Sequence, residues 1–202
     1  MILIIEDTLR HQEAARVQLS EVEVEIVNYD KAYRLLKKAR PGTFSAIISD
    51  LHFKIEEERG VADAPFDPCY PRNMEAIGTE IPFGLAFVLK AVELQTPVVL
   101  YSDTNHHEDL TAGLMDIFGY NGFYPSDFGK ETKDPIKDPE FLPLCGYDCR
   151  MAEDMHWDGQ KIVLEPMPEA PSSKDAVAWE KHWQKRVKDW RIALQALTSR
   201  TV

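Results

Sequence analysis

The 202-residue chain is 44% hydrophobic, enough apolar surface for one sizeable core, and carries a formal net charge of -11. An acidic balance of this size speaks against general nucleic-acid binding, which wants a basic face. No apolar run reaches the roughly 18 residues that cross a bilayer, and the N-terminal MILIIEDTLR lacks the basic start and small-residue cleavage site of a signal peptide.

Residues 2–5, ILII, form a continuous apolar run that suits the buried central strand of a parallel sheet. Residues 8–20 follow a helical rhythm with Thr8 as a candidate cap. Residues 22–28 alternate as a strand near an edge does, and 30–39 read as a short helix closed by Pro41-Gly42. Residues 45–49, SAIIS, are a third strand, 84–94 an apolar helix, 97–101 a fourth strand, and 106–118 a further helix ending at Gly119. Strands alternating with helices predict an α/β fold built on a parallel, doubly wound sheet in a single domain, 1–202.

Two stretches interrupt the rhythm. Residues 52–83 are a long polar insertion after strand three, and 120–173 an irregular insertion rich in Pro, Gly and Asp. The fifth strand is assigned to Lys161–Glu165 in preference to Tyr120–Tyr124, because a helix follows it. That helix, 174–198, is expected to be long and amphipathic: Trp179, Trp183, Val187, Trp190, Leu194 and Leu197 recur at spacings of 4, 4, 3, 4 and 3, one apolar stripe suited to packing on the sheet. Residues 174–200 hold seven Lys/Arg against three Asp/Glu, a local +4 that leaves -15 for the rest. The expected reading is a solvated basic face; the alternative is a surface for self-association, as in a homodimer, or for a partner.

The three cysteines, Cys69, Cys145 and Cys149, are odd in number and spaced wrongly for a four-thiolate zinc site. Reduced thiols in a cytoplasmic protein are the expectation. Cys145 and Cys149 with His156 form a lesser metal-ligand alternative.

In open α/β sheets, ligands bind outside the carboxyl ends of the strands. Here strand one ends in Glu6-Asp7, strand three in Asp50, and strand four in Ser102-Asp103-Thr104. Converging carboxylates raise one another's pKa unless a cation is present. Hard oxygen ligands of this number suit Mg2+, or Mn2+, which completes its shell with water and a substrate phosphate. Such a site can receive a phosphoryl group on a carboxylate. Asp103, His106 and His107 form an additional candidate set, since an imidazole would favour Fe2+ or Zn2+. His106 and His107 also read as surface residues opening a helix. His52 reads as a loop residue over the site.

The stretches ILIIEDTLRHQEAAR, AIISDL, IPFGLAFVLKA and PVVLYSD together resemble the response regulator receiver domain of two-component signalling, over about 1–50 and 82–118. The resemblance implies a five-stranded, flavodoxin-like sheet. It also implies Mg2+ binding at Glu6 and Asp7 with Asp50, phosphorylation of Asp50, and phosphate sensing by Ser102. Its partners would be a histidine kinase or phosphotransfer protein in a phosphorelay. The chain departs from that pattern in two places. Pro82 and Gly84 arrive only after the insertion, and neither candidate fifth strand ends in the family's lysine: Tyr124 or Glu165 stands there, with Lys130 and Lys161 the lysines considered as substitutes. No DNA-binding output domain is legible, so signalling through contact with another chain is expected, by the 106–118 and terminal helices. Two alternatives use the same sheet edge: a metal-dependent hydrolase or phosphatase, with Asp50 as nucleophile or ligand, Asp103 as acid/base and the insertion as a lid, and a pseudo-receiver without phosphorylation.

Overall fold

Three short apolar runs and one alternating strand make one parallel sheet in the computed structural model, which describes residues 1–54, 80–102, 150–171 and 176–198. In chain order the elements are β1 (Ile2–Ile5), α1 (Leu9–Gln18), β2 (Val24–Val27), α2 (Tyr29–Lys38), β3 (Ala46–Ser49), β4 (Phe53–Lys54), β5 (Glu80–Ile81), α3 (Gly84–Glu93), β6 (Val98–Leu100), β7 (His156–Trp157), β8 (Ile162–Val163), α4 (Ala176–Trp183) and α5 (Trp190–Thr198). The sheet order is β2-β1-β3-β6, all neighbours parallel. Among the described residues no helix is long and apolar enough to cross a membrane.

The period of two along a strand explains why the sheet is covered on both faces. Leu3, Ile5, Ile47, Val98 and Leu100 point to one side, where they pack with Leu36 of α2 and Phe87 and Val88 of α3. Ile4, Ile48, Val99 and Tyr101 point to the other, against Ala14 and Ala15 of α1 and Val187, Trp190 and Ala193 near the C-terminus. Strands buried on both faces need unbroken apolar runs, which is what ILII, AIIS and VVL supply. Asn28 caps α2, its Oδ1 accepting from the Lys31 amide at 3.1 Å. Thr8 starts α1 through its backbone carbonyl alone, without a side-chain cap.

The insertion after β3 closes on itself at its base. β4 and β5 pair antiparallel, Phe53 opposite Ile81. Phe53 seats that base by packing edge-on to Phe87 at a 5.7 Å centroid separation, with Tyr29 equally close. The chain therefore re-enters the sheet beside the point at which it left. The Gly84 amide donates to Leu51 O at 2.9 Å. A Cβ on Gly84 would collide with the Asp50 carbonyl oxygen and lie 2.7 Å from Leu51 Cα. Only glycine permits this approach of α3 to the end of β3.

The C-terminal region departs from the sequence expectation in two ways. The expected fifth strand, Lys161–Glu165, does not join the main sheet: Ile162–Val163 pairs antiparallel with His156–Trp157 in a separate hairpin. Its turn explains this, since Asp158 Oδ1 accepts from the Gln160 and Lys161 amides and Gly159 takes φ +108°. Leu164 is left 68% exposed, so the run has no buried face beyond two residues. Four parallel strands, rather than five, are present among the described residues.

The expected helix over 174–198 is two helices, α4 and α5, divided at 184–189. Backbone pairing claims the dividing stretch: Ala152 N donates to Val187 O at 2.8 Å, Asp189 N to Arg150 O at 2.8 Å, and Trp157 N to Lys185 O at 2.8 Å. Asp189 restarts the helix as a cap, its Oδ1 accepting from the Arg191 amide at 3.2 Å. The tryptophan stripe is divided accordingly. Trp190 is fully buried, whereas Trp179 and Trp183 stand 44% and 46% exposed. The helix of 106–118, the alternative strand 120–124 and the three cysteines lie outside the described residues.

Gly84→Ala should lower unfolding stability by at least about 2 kcal/mol, because the obstructing atoms are backbone and cannot turn aside; denaturant titration measures it. Trp190→Ala should cost about 3–5 kcal/mol by the same measurement.

Candidate functional site

Parallel register brings the acidic strand ends side by side. Ile5 lies opposite Ser49, and Ser49 opposite Leu100. The ladder continues one step further: Asp50 N donates to Ile5 O at 2.9 Å and Tyr101 N to Ser49 O at 2.8 Å. Glu6 and Asp50 thus emerge from neighbouring strands at the same level. Ser102 follows on the next strand, 2% exposed. Glu6, Asp7 and Asp50 each offer a carboxylate oxygen, and these atoms lie within 4.8 Å of one another. The predicted triad is therefore assembled. Asp103, His106 and His107 lie outside the described residues, as do Lys130, Cys145 and Cys149. His52 is buried at 6% exposure, and His156 Nδ1 sits 3.2 Å from the Glu165 carbonyl in the terminal hairpin.

The decisive group is one that sequence reasoning missed. Lys188, fully buried, places its Nζ 2.7 Å from Glu6 Oε2 and 2.9 Å from Asp50 Oδ2. Lys161 stands in the terminal hairpin, its amide donating to Asp158 Oδ1 at 2.9 Å. Lys188 comes from the extended stretch between α4 and α5, which the continuous-helix reading had hidden. The signal was present: Asp189 is a strong cap-forming residue directly before Trp190, so a helix starting there leaves Val187-Lys188 extended.

Local hydrogen bonds hold the carboxylates. Glu6 Oε1 accepts from the Thr8 amide at 2.9 Å, and its backbone carbonyl accepts from Gln12 Nε2 at 2.6 Å. Asp50 Oδ1 accepts from the Leu51 amide at 2.6 Å, leaving Oδ2 to Lys188. Ser49 Oγ donates to the Asp50 carbonyl at 2.7 Å. Asp7 is the most open of the three acids.

Burial raises the Glu6 carboxyl to about 8; the nearby Asp50 charge adds to this, and the Lys188 charge and hydrogen bonds oppose it. Three carboxyl groups and one ammonium meet at a point walled by protein, and a cation bound there would displace the proton that burial keeps on Glu6 near neutral pH. An all-oxygen, acidic donor set of this kind fits a hard divalent cation that keeps part of its water shell, with Asp7 on the solvent side. Glu6, Asp7 and Asp50 are the residues that could hold it.

With this geometry established, comparison with known protein families, with curated proteins and with solved structures finds no match.

A carboxyl raised in the fold from 4.5 to about 8 stabilises the protein fully below 4.5, and that contribution is lost as pH rises toward 8. In the metal-free protein, stability should fall across this window relative to Glu6→Gln, whose curve lacks that slope; denaturant titrations at several pH values read the difference. Lys188→Met, which strands Asp50 and Glu6, should lower stability by about 3–5 kcal/mol at neutral pH. Adding Glu6→Gln to it should recover part of the loss in a double-mutant cycle.

Proposed function

We propose that this chain is a divergent receiver-type signalling protein that binds Mg2+ or Mn2+ at Glu6, Asp7 and Asp50 and accepts a phosphoryl group on Asp50. The observation that carries the reading is the Lys188 ammonium between Glu6 and Asp50. A phosphoacceptor carboxylate needs a fixed positive charge beside the oxygens it will carry, and the sequence pattern lacked one. The strand order β2-β1-β3-β6 and helices on both faces agree with the wound, flavodoxin-like sheet that the resemblance implies. The close seating of Gly84 against Asp50 and Leu51 agrees with the Pro-Gly that follows the phosphoacceptor in receivers, here delivered across an insertion.

In this reading an Asp50 carboxylate oxygen attacks phosphorus in line. The bond from phosphorus to the donor's leaving atom breaks, the imidazole nitrogen of a phosphohistidine or the acyl oxygen of acetyl phosphate, and an acyl phosphate forms on Asp50. A divalent cation, when bound, screens the charge of the incoming phosphoryl group. Lys188 pairs with a phosphoryl oxygen once the Asp50 negative charge is spent in the new bond, and Ser102, at the end of β6, donates its hydroxyl to another. The partner is a histidine kinase or phosphotransfer protein in the cytoplasm, and output passes through protein contact.

Acetyl phosphate with Mg2+ should label the wild type, with mass spectrometry placing the added group on Asp50. Asp50→Asn and chelation by EDTA should each abolish the label. Cation binding without labelling would instead favour the hydrolase reading. Neither binding nor labelling would mean that Lys188 is the acids' permanent counter-ion and the protein a pseudo-receiver.

A further inference from the structure

The position of Lys188 raises a question that its charge does not answer. It stands on a stretch of extended chain, and a long flexible side chain on such a stretch has many alternatives to a buried pocket. Backbone pairing with 150–152 holds its neighbours Val187 and Asp189, and α1 holds the N–H and C=O of Lys188 itself. His11, fully buried, accepts the Lys188 amide at Nδ1 over 3.2 Å. Gln18, two turns further along, grips the peptides that follow: its Nε2 donates to Lys188 O at 2.9 Å and its Oε1 accepts from Trp190 N at 2.6 Å. The His11 carbonyl accepts from Trp190 Nε1 at 2.9 Å. Residues 11 and 18 are seven apart, so they lie on one stripe of α1, and that stripe faces the 187–190 stretch.

We infer that His11 and Gln18 are positioning residues that clamp the Lys188 peptide so that its ammonium bridges Glu6 and Asp50. This rests on the receiver reading for its functional consequence, but the clamp itself is a matter of geometry. Helix α1 begins two residues after the acidic pair, and its first turn is tied to Glu6 through Gln12 and Thr8. One helix therefore sets both the carboxylates and the lysine. The side-chain bonds to Lys188 are made to its N–H and C=O, so they fix where the side chain starts and leave Nζ for the acids. Both clamp residues supply acceptors for amides that the break between α4 and α5 would otherwise leave without helical partners.

The test uses the full-length chain with His11→Leu, Gln18→Leu and His11→Asn, the last keeping an acceptor near the Nδ1 position. Trace reductive methylation followed by mass spectrometry reads the reactivity of Lys188 against surface lysines such as Lys37 and Lys38. Calorimetric titration with Mn2+ reads the charge of the acidic cluster. In both leucine variants Lys188 should become at least about tenfold more reactive, and Mn2+ should bind about tenfold more tightly, because a neighbouring positive charge has left the carboxylates. His11→Asn should restore protection. A merely structural role predicts the opposite sign for the metal, weaker binding in step with lost stability, and that result overturns the inference. So does a Lys188 that stays protected in both leucine variants, or loss of cooperative unfolding in both. Gln18 is only half-buried, so its variant is the one expected to fold normally. If the wild type takes up no Mn2+ while Lys188 becomes reactive in the variants, the clamp stands and the receiver reading fails.

Discussion

A single buried ammonium, on Lys188, makes the carboxyl edge of this sheet possible. Parallel register forces Glu6 and Asp50 to emerge side by side from β1 and β3, and the surrounding apolar layers leave little water to separate their charges. Two such groups cannot both ionise cheaply without a countercharge. Lys188 supplies it across 182 residues of chain to Glu6 and 138 to Asp50. Burying three ionisable groups together is a poor route to stability alone. Retaining that arrangement is better explained by a site that needs charge held in reserve than by a core that needs filling.

The rest of the fold converges on the same point from both faces. On one, α3 can reach the end of β3 only because Gly84 lacks a side chain, and the β4–β5 pair returns the chain to that spot after the insertion. On the other, Trp190 and Tyr101 pack together at 5.7 Å, and the Tyr101 hydroxyl donates to Asp189 O at 2.8 Å while accepting from Arg150 N at 3.1 Å. Tyr101 precedes Ser102, so that strand end is bonded directly to the segment that carries Lys188.

The chain just before Lys188 presents a surface of mixed character. Trp179 and Trp183 are exposed, and Arg186 lies over the Trp183 ring at 4.8 Å. Of the terminal segment's basic residues, Lys188 is buried between Glu6 and Asp50 and Arg191 pairs with Asp154 and Asp189, while Arg186 stays at this surface. The division of the stripe matters for this: a continuous helix would have turned all three tryptophans toward the sheet, whereas the break buries only Trp190.

The chain's own residue order was enough to locate the four parallel strands, the helices between them and the meeting of Glu6, Asp7 and Asp50. Each of these follows from local rules: apolar runs that must be buried on both faces, a period that alternates with them, and strand ends that parallel pairing necessarily aligns. Three outcomes were decided only by tertiary structure. Ile162–Val163 paired with His156–Trp157 instead of extending the sheet, because a tight turn at Asp158-Gly159 made the nearer partner available. The tryptophan-striped segment broke at 184–189, because backbone pairing with 150–157 competed with a helix that its periodicity alone would favour. Lys188 filled the place beside Asp50 because that break left it extended within reach of α1, a position that depends on hydrogen bonds with His11 and Gln18, 177 and 170 residues away, which no local pattern can encode.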